Sequence, residues 1–111
     1  MVEVRTVNVA EALELLEGGA LLLDVREDNE WESGRAAAAE HIALNEVPDH
    51  LDELPVGRTI VCVCRSGARS GRVTKFLLDQ GRDAVNLEGG MLAWSAEGEA
   101  LEGDVDEPSI I

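Results

Sequence analysis

The chain has 111 residues, 45% of them hydrophobic and 29% charged, so it can bury one core and is too short for two ordinary domains. Its 9 Lys and Arg against 23 Asp and Glu give a formal net charge of −14, which repels nucleic acid and anionic lipid, so we expect neither nucleic acid nor a membrane as a partner. Every apolar run is far shorter than the roughly 20 residues that cross a bilayer, and the first residues carry no secretion signal, so we expect a cytoplasmic protein.

The first half of the chain alternates between helical and extended patterns. Asn8 and Glu11 match a capping box, which predicts a helix over residues 9–17. Residues 20–25 are apolar without alternation, which is typical of a strand covered on both faces. Three weaker elements follow, namely a short helix at 28–33, a strand at 39–42 and a helical stripe formed by Val47, Leu51 and Leu54.

The second half repeats this alternation. Residues 60–63 predict another covered strand, and residues 65–71 predict a polar loop of small side chains. An apolar stripe then predicts a helix that Gly81 ends, residues 84–87 predict a short strand, and a last helix begins at Met91. Since parallel strands need crossover connections, the pattern predicts an α/β fold with a mostly parallel sheet and helices on both faces.

The composition changes near the end of the chain. From residue 97 onward it contains six acidic residues and no cation. We therefore expect one domain over residues 1–98 and a solvated acidic tail over residues 99–111.

Cys64 is the candidate nucleophile, because it follows a covered strand at the edge of the sheet where ligands bind. In the loop after it, backbone N–H groups can converge on one point, and Arg65 and Arg69 add positive charge. We therefore expect a lowered pKa for the Cys64 thiol and an anion-binding cradle. The cradle comprises Arg65, Ser66, Gly67, Ala68, Arg69 and Ser70. The alternative, an inert buried cysteine, is the interpretation that we favour for Cys62, which lies between two valines.

Four separated motifs carry a family resemblance. They are LLDVRE at 22–27, EWESG at 30–34, CRSGARS at 64–70 and LEGGMLAW at 87–94. In their order and spacing the chain resembles a single-domain rhodanese over roughly residues 4–97. The resemblance implies a five-stranded parallel sheet flanked by helices, with Cys64 carrying sulfane sulfur as a persulfide. This chemistry needs neither a metal nor an organic cofactor.

The resemblance also indicates supporting residues and one departure. Asp24 and Arg26 match a signature pair of the family, and we interpret them as a structural ion pair or loop support in preference to a direct catalytic role, since buried charges are usually retained in pairs. Where the family has a Gly-His-x-Pro-Gly-Ala segment, this chain reads GRAAAA at 34–39. We expect Arg35 and the alanines to shift that loop.

The function implied by the resemblance is sulfur transfer. The Cys64 thiolate would attack the outer sulfur of an anionic donor such as thiosulfate, and a thiol, cyanide or protein acceptor would then remove the sulfur. Two alternatives stay open: a non-enzymatic sulfur-carrier or regulatory module that binds a protein partner, and a Cdc25-like phosphatase or arsenate reductase. The phosphatase pattern places Arg six positions after the cysteine, whereas here Ser70 is sixth and Arg69 is fifth, so the shorter loop favours sulfur.

Overall fold

Five parallel strands form one sheet in the computed structural model, which describes residues 2–111. The strands are β1 (Thr6–Val7), β2 (Leu21–Asp24), β3 (Glu40–His41), β4 (Ile60–Val63) and β5 (Ala84–Leu87). The helices are α1 (Val9–Glu17), α2 (Asp28–Ser33), α3 (Ala68–Asp79) and α4 (Gly90–Ala96), and two 3-10 helices, Leu44–Glu46 and Pro48–Glu53, lie between β3 and β4. The order across the sheet is β1-β5-β4-β2-β3, and every neighbouring pair is parallel.

The sheet is covered on both faces. All four residues of β2, of β4 and of β5 are buried, which is why their sequences lack alternation. On one face, α1 and α4 pack on a core that includes Val61 and Trp94. On the other face, α3 and the 3-10 helices pack on a core that includes Cys64 and Leu77. The predicted α/β sheet with helices on both faces is confirmed.

Two helix starts show how local sequence sets the structure. The predicted capping box at α1 is confirmed, because Asn8 Oδ1 accepts the Glu11 N–H at 2.8 Å and the Glu11 carboxylate accepts the Asn8 N–H at 3.0 Å. In contrast, α3 begins at Ala68, inside the segment predicted as a loop. Gly67 adopts a left-handed conformation with φ of 115°, which allows the sharp turn from β4 into α3. The first turn of α3 is polar, so apolar periodicity does not reveal it.

Two weaker elements differ in detail from the sequence pattern. The stripe formed by Val47, Leu51 and Leu54 lies along and beside the two 3-10 helices. The sequence did not predict β1, whose Thr6 and Val7 pair with β5, since two residues show no periodicity.

Within residues 2–111, no helix is long and apolar enough to span a membrane.

The acidic tail is hydrogen-bonded to the domain. Arg35 and Glu102 exchange two backbone hydrogen bonds of 2.8 and 2.9 Å as an antiparallel bridge. Further along, the Ser109 N–H donates to the Ser33 carbonyl at 3.0 Å. At these points the backbone of the tail is bonded to the domain rather than solvated, as we had expected of the tail, whereas the side chains of Glu102 and Asp104 stay more than half exposed.

Candidate functional site

Cys64 directly follows β4 and lies at the carboxyl edge of the sheet. Its Sγ accepts a hydrogen bond from the Gly67 N–H at 3.1 Å, and Ser70 Oγ lies 3.3 Å from the same sulfur. Only 1% of the residue is exposed. The sulfur therefore lies at the base of the loop that joins β4 to α3, and polar groups of that loop contact it.

Backbone N–H groups of α4 donate hydrogen bonds to two carbonyl groups at the start of this loop. The Met91 N–H donates to the Cys64 carbonyl at 2.8 Å, and the Leu92 N–H donates to the Arg65 carbonyl at 3.1 Å. In a trans peptide the N–H points away from the C=O. An Arg65 carbonyl directed at α4 therefore turns the Ser66 N–H towards the Cys64 side of the loop, where it stabilises the thiolate.

Gly90 makes this close approach of α4 feasible. It has a left-handed φ of 56°, and a Cβ at this position would lie 2.4 Å from the Cys64 carbonyl oxygen and 2.6 Å from that of Arg65. Glycine fits because it has no Cβ and tolerates positive φ. The glycine of the closing motif therefore supports the loop that surrounds Cys64.

The loop lowers the pKa of Cys64 below its usual range. Burial by itself raises this pKa, but the Ser70 hydroxyl and the backbone N–H groups of Ser70, Gly67 and Ser66 together outweigh it, because hydrogen bonds stabilise the thiolate. By contrast, burial raises the pKa of Cys62 to about 12. Cys62 is fully buried, which confirms its prediction as a core residue.

Arg69 lies beside the loop and is paired with Glu30 on α2. Its two terminal nitrogens donate to the two carboxylate oxygens at 2.7 and 2.9 Å. The paired hydrogen bonds raise the pKa of Arg69 and lower that of Glu30. A negative charge on Cys64 also raises the pKa of Arg69, so the guanidinium and the sulfur are close enough to interact electrostatically. The sequence placed Arg69 in an anion cradle, whereas the structure directs its hydrogen bonds to Glu30.

The remaining predicted cradle residues divide into two groups. Ser66, Gly67 and Ser70 supply the hydrogen bonds to Cys64. Arg65 and Ala68 are exposed. Arg65 donates from Nε to the Ile111 carbonyl at 3.0 Å, so it contacts the end of the tail, and Ala68 is the first residue of α3.

Asp24 and Arg26 form a fully buried ion pair. Arg26 Nε donates to both carboxylate oxygens at 3.0 and 3.1 Å, and Nη2 donates at 2.7 Å. The same guanidinium donates to the Gly34 carbonyl at 2.7 Å and to the Glu30 carbonyl at 3.3 Å. The pair thus connects the end of β2 to α2, which carries the partner of Arg69, and its hydrogen bonds do not include Cys64.

Arg35, where the chain departs from the family pattern, contacts the acidic tail. Its guanidinium lies 2.9 Å from Asp104 Oδ1 and 3.5 Å from Glu102 Oε1, and its Cζ lies 4.9 Å from the centroid of the Trp31 ring. The carboxylate of Asp104 raises the pKa of Arg35, which lowers the pKa of Asp104 in return. The substituted segment thus provides a cation for residues that follow the last helix.

Sequence reasoning assigned no role to Glu30 or Asn86. Glu30 lies within a recognised motif, but nothing local distinguishes it from the other acidic residues. Asn86 lies in β5, where its carboxamide bonds to Gly67 and Ser70. A polar residue in an otherwise apolar covered strand is the signal that could have found it. Within residues 2–111, no group of three or more His, Cys, Asp or Glu is placed to hold a metal ion.

Comparison with known proteins gives consistent similarities. The family model for the rhodanese-like domain matches residues 8–97, which include all four α-helices and the Cys64 loop. The chain is 39% identical over 97 residues to the putative sulfurtransferase YtwF of Bacillus subtilis, covering 86% of this chain and 94% of that protein. It is 30% identical over 95 residues to the thiosulfate sulfurtransferase GlpE of Pseudomonas syringae, covering 85% and 90%. The crystal structure of a rhodanese-related protein from Thermoplasma volcanium superposes with a TM-score of 0.82 at 30% identity, covering 88% and 97%.

Proposed function

The chain belongs to the rhodanese-like domain family, and two proteins similar to it are named as a putative sulfurtransferase and a thiosulfate sulfurtransferase, so we propose that it transfers sulfane sulfur through a Cys64 persulfide. The proposed donor is an anion such as thiosulfate, and the acceptor is a thiol, cyanide or a protein nucleophile. The observation that carries the proposal is the set of hydrogen-bond donors that surrounds Cys64 Sγ.

The first step is a displacement at sulfur. An electron pair of the Cys64 thiolate forms a bond to the outer sulfur of thiosulfate, while the bond between the two donor sulfurs breaks and its electron pair leaves with sulfite. Negative charge then lies on the outer sulfur of the persulfide. In the second step the acceptor attacks this outer sulfur, the persulfide bond breaks, and the Cys64 thiolate is regenerated. Atoms and charge balance in both steps without a redox partner.

The loop contributes by stabilising negative charge at the sulfur. The N–H groups of Ser66 and Gly67, together with Ser70, are held in place before the reaction, so little reorganisation is needed as charge develops. Such hydrogen-bond donors accelerate the step if they bind the transition state more tightly than they bind the anion that supplies the sulfur. Arg69 adds positive charge, but its ion pair with Glu30 partly offsets that charge. The uncharged N–H and hydroxyl groups of the loop therefore carry most of the stabilisation of negative charge at the sulfur.

Intact mass measurement tests the proposal. After incubation with thiosulfate and removal of the excess, the native chain should gain one sulfur atom under nonreducing conditions, and cyanide should remove it as thiocyanate. Cys64→Ala should gain none. Cys62→Ala is the matched control and should still gain the sulfur, since Cys62 is buried in the core with a raised pKa.

Two results would contradict sulfur transfer. A native chain that stays unmodified by sulfur donors but binds a protein would be a regulatory module. A chain that hydrolyses a small aryl phosphate and takes up no sulfur would be a phosphatase.

A further inference from the structure

Asn86 is a buried polar residue in the sheet. It lies in β5, and only 7% of it is exposed. A carboxamide at such a position costs free energy unless its polar atoms are hydrogen-bonded. Both of its polar atoms are bonded, and both bonds go to residues that follow Cys64.

The orientation of this carboxamide follows from its partners. Asn86 Nδ2 lies 3.0 Å from the Gly67 carbonyl oxygen, and because a carbonyl only accepts, the nitrogen must face it. Oδ1 then faces Ser70 and accepts its hydroxyl proton at 2.6 Å. One side chain on β5 therefore holds two groups of the Cys64 loop and helix α3.

The first bond fixes the carbonyl of Gly67, the residue whose own N–H contacts Cys64, and the second bond fixes Ser70 Oγ beside the sulfur. The Gly67 carbonyl also accepts the Gly71 N–H at 3.0 Å, so two donors hold it while the Gly67 N–H faces Sγ at 3.1 Å. Ser70 Oγ, held by Asn86, lies 3.3 Å from Sγ. The fit is close, since a Cβ on Gly71 would lie 3.3 Å from Asn86 Nδ2.

The Ser70 hydroxyl has one proton and three acceptors within reach. Asn86 Oδ1 is at 2.6 Å, Cys64 Sγ at 3.3 Å and the Gly67 carbonyl at 3.4 Å. The shortest of these contacts is to Asn86. Asn86 thus competes with the thiolate for the Ser70 proton, whereas its bond to Gly67 supports the thiolate.

We propose that Asn86 is a positioning residue for Cys64, whose carboxamide holds the carbonyl of Gly67, so that the N–H of the same residue stays directed at the sulfur, and whose oxygen sets how far the Ser70 proton is shared with the thiolate. The inference rests on the proposed role of Cys64 and adds a residue outside the loop. The ionisable groups that interact with the charge on Cys64 include Cys62 on β4 and Arg69 on α3, which is paired with Glu30 on α2. None of these bonds to Asn86, so substitutions there leave them in place.

Asn86→Asp tests the proposal where the new carboxyl is ionised. The ionised side chain is isosteric with the carboxamide, loses the donor to the Gly67 carbonyl and places a negative charge next to Ser70. Both changes disfavour the thiolate, whereas a protonated carboxyl would keep the donor. We expect the midpoint of the pH profile for Cys64 alkylation by iodoacetamide to rise by about one pH unit or more, which lowers the rate below the midpoint about tenfold. Ultraviolet absorbance of the thiolate, which does not depend on reagent access, should give the same shift.

A Ser70→Ala background isolates the bond to Gly67. Without the hydroxyl, Asn86 can act on Cys64 only through the Gly67 peptide, so Ser70→Ala/Asn86→Ala should have a higher midpoint than Ser70→Ala. Val85→Ala is the matched control, because Val85 is a buried neighbour in β5 that packs in the opposite core. It should lose stability without moving the midpoint.

The outcomes decide the proposal separately from the proposed function. A Ser70→Ala/Asn86→Ala midpoint that is no higher than that of Ser70→Ala, or that rises no more than the midpoint of Val85→Ala, overturns the role of Asn86. These variants bury no ionisable group, so they decide the proposal whether or not Asn86→Asp folds or ionises. Alkylation does not require sulfur transfer, so a native chain that takes up no sulfur would overturn only the proposed function.

Discussion

Cys62 and Cys64 lie two residues apart and pack in the same core, yet their thiols have opposite properties. Cys62 is inside β4, where burial dominates over a hydrogen bond with Thr74 and raises its pKa to about 12. Cys64 lies one residue beyond the strand, where backbone N–H groups turn to the sulfur and lower its pKa despite burial. The comparison shows that the end of a parallel strand supplies the donors that lower the pKa of a buried thiol.

Alkylation at neutral pH should separate the two thiols most strongly. A pKa of about 12 leaves roughly one Cys62 in 100,000 as thiolate at about pH 7. We expect iodoacetamide to modify Cys64 at least about a thousandfold faster than Cys62, as measured by peptide mass spectrometry. In denaturant both should react at similar rates. Similar rates in the native protein would contradict the comparison.

Stability should depend on pH in a different window for each thiol. The folded-state pKa of Cys64 is lowered, so its contribution to stability is present above the usual value of 9.0 and is lost as pH falls through the folded-state pKa. The pKa of Cys62 is raised, so its contribution is complete below 9.0 and is lost as pH rises towards 12. In that alkaline window Cys62 alone should lower the free energy of unfolding by about 1.4 kcal/mol per pH unit.

Urea denaturation across this pH range measures both contributions. Cys62→Ala should abolish the loss of stability that occurs as pH rises above 9.0. Cys64→Ala should abolish the increase in stability that occurs as pH rises from the folded-state pKa of Cys64 to 9.0. Each variant is the control for the other, since both delete one thiol from the same core. A Cys62→Ala protein that loses stability as steeply as the parent above pH 9.0 would show that burial of Cys62 does not set its titration.

The smallest expected effect concerns Arg69. It tests whether positive charge, in addition to uncharged hydrogen-bond donors, helps to bind an anion near Cys64. Arg69→Ala should raise KM for thiosulfate about fivefold, which corresponds to about 1 kcal/mol for a partly exposed charge. Arg72→Ala removes an exposed arginine from the same helix and should leave KM unchanged. Glu30→Gln removes the charge that offsets Arg69 and should lower KM. Equal increases in Arg69→Ala and Arg72→Ala would place the donor anion away from Arg69.

The parts of the structure that the sequence predicted depend on local patterns. Residues 20–25 and 60–63 lack alternation because both faces of β2 and β4 are buried, so the parallel sheet was visible. The small residues after Cys64 indicated backbone N–H groups that converge on one point, and the N–H groups of Ser66 and Gly67 do stabilise the Cys64 thiolate.

The features that the sequence did not predict depend on contacts between distant residues. Glu30 and Arg69 are 39 positions apart, and Arg35 and Asp104 are 69 apart, so no periodicity connects them. The tail contains no cation of its own, and its partner Arg35 lies in the segment that departs from the family pattern. Such pairs become visible only when the fold brings their elements together.

The hydrogen bonds from α4 to the Cys64 and Arg65 carbonyls determine how heat or denaturant would inactivate the protein. Because α4 has only seven residues, we expect it to open at a lower free-energy cost than the whole sheet, even though Met91 and Trp94 pack in the core. When α4 opens, Met91 and Leu92 release the two carbonyls, and the Ser66 N–H is no longer turned to the sulfur. The pKa of Cys64 would then rise while the sheet is still folded, so its reactivity should fall before the protein melts.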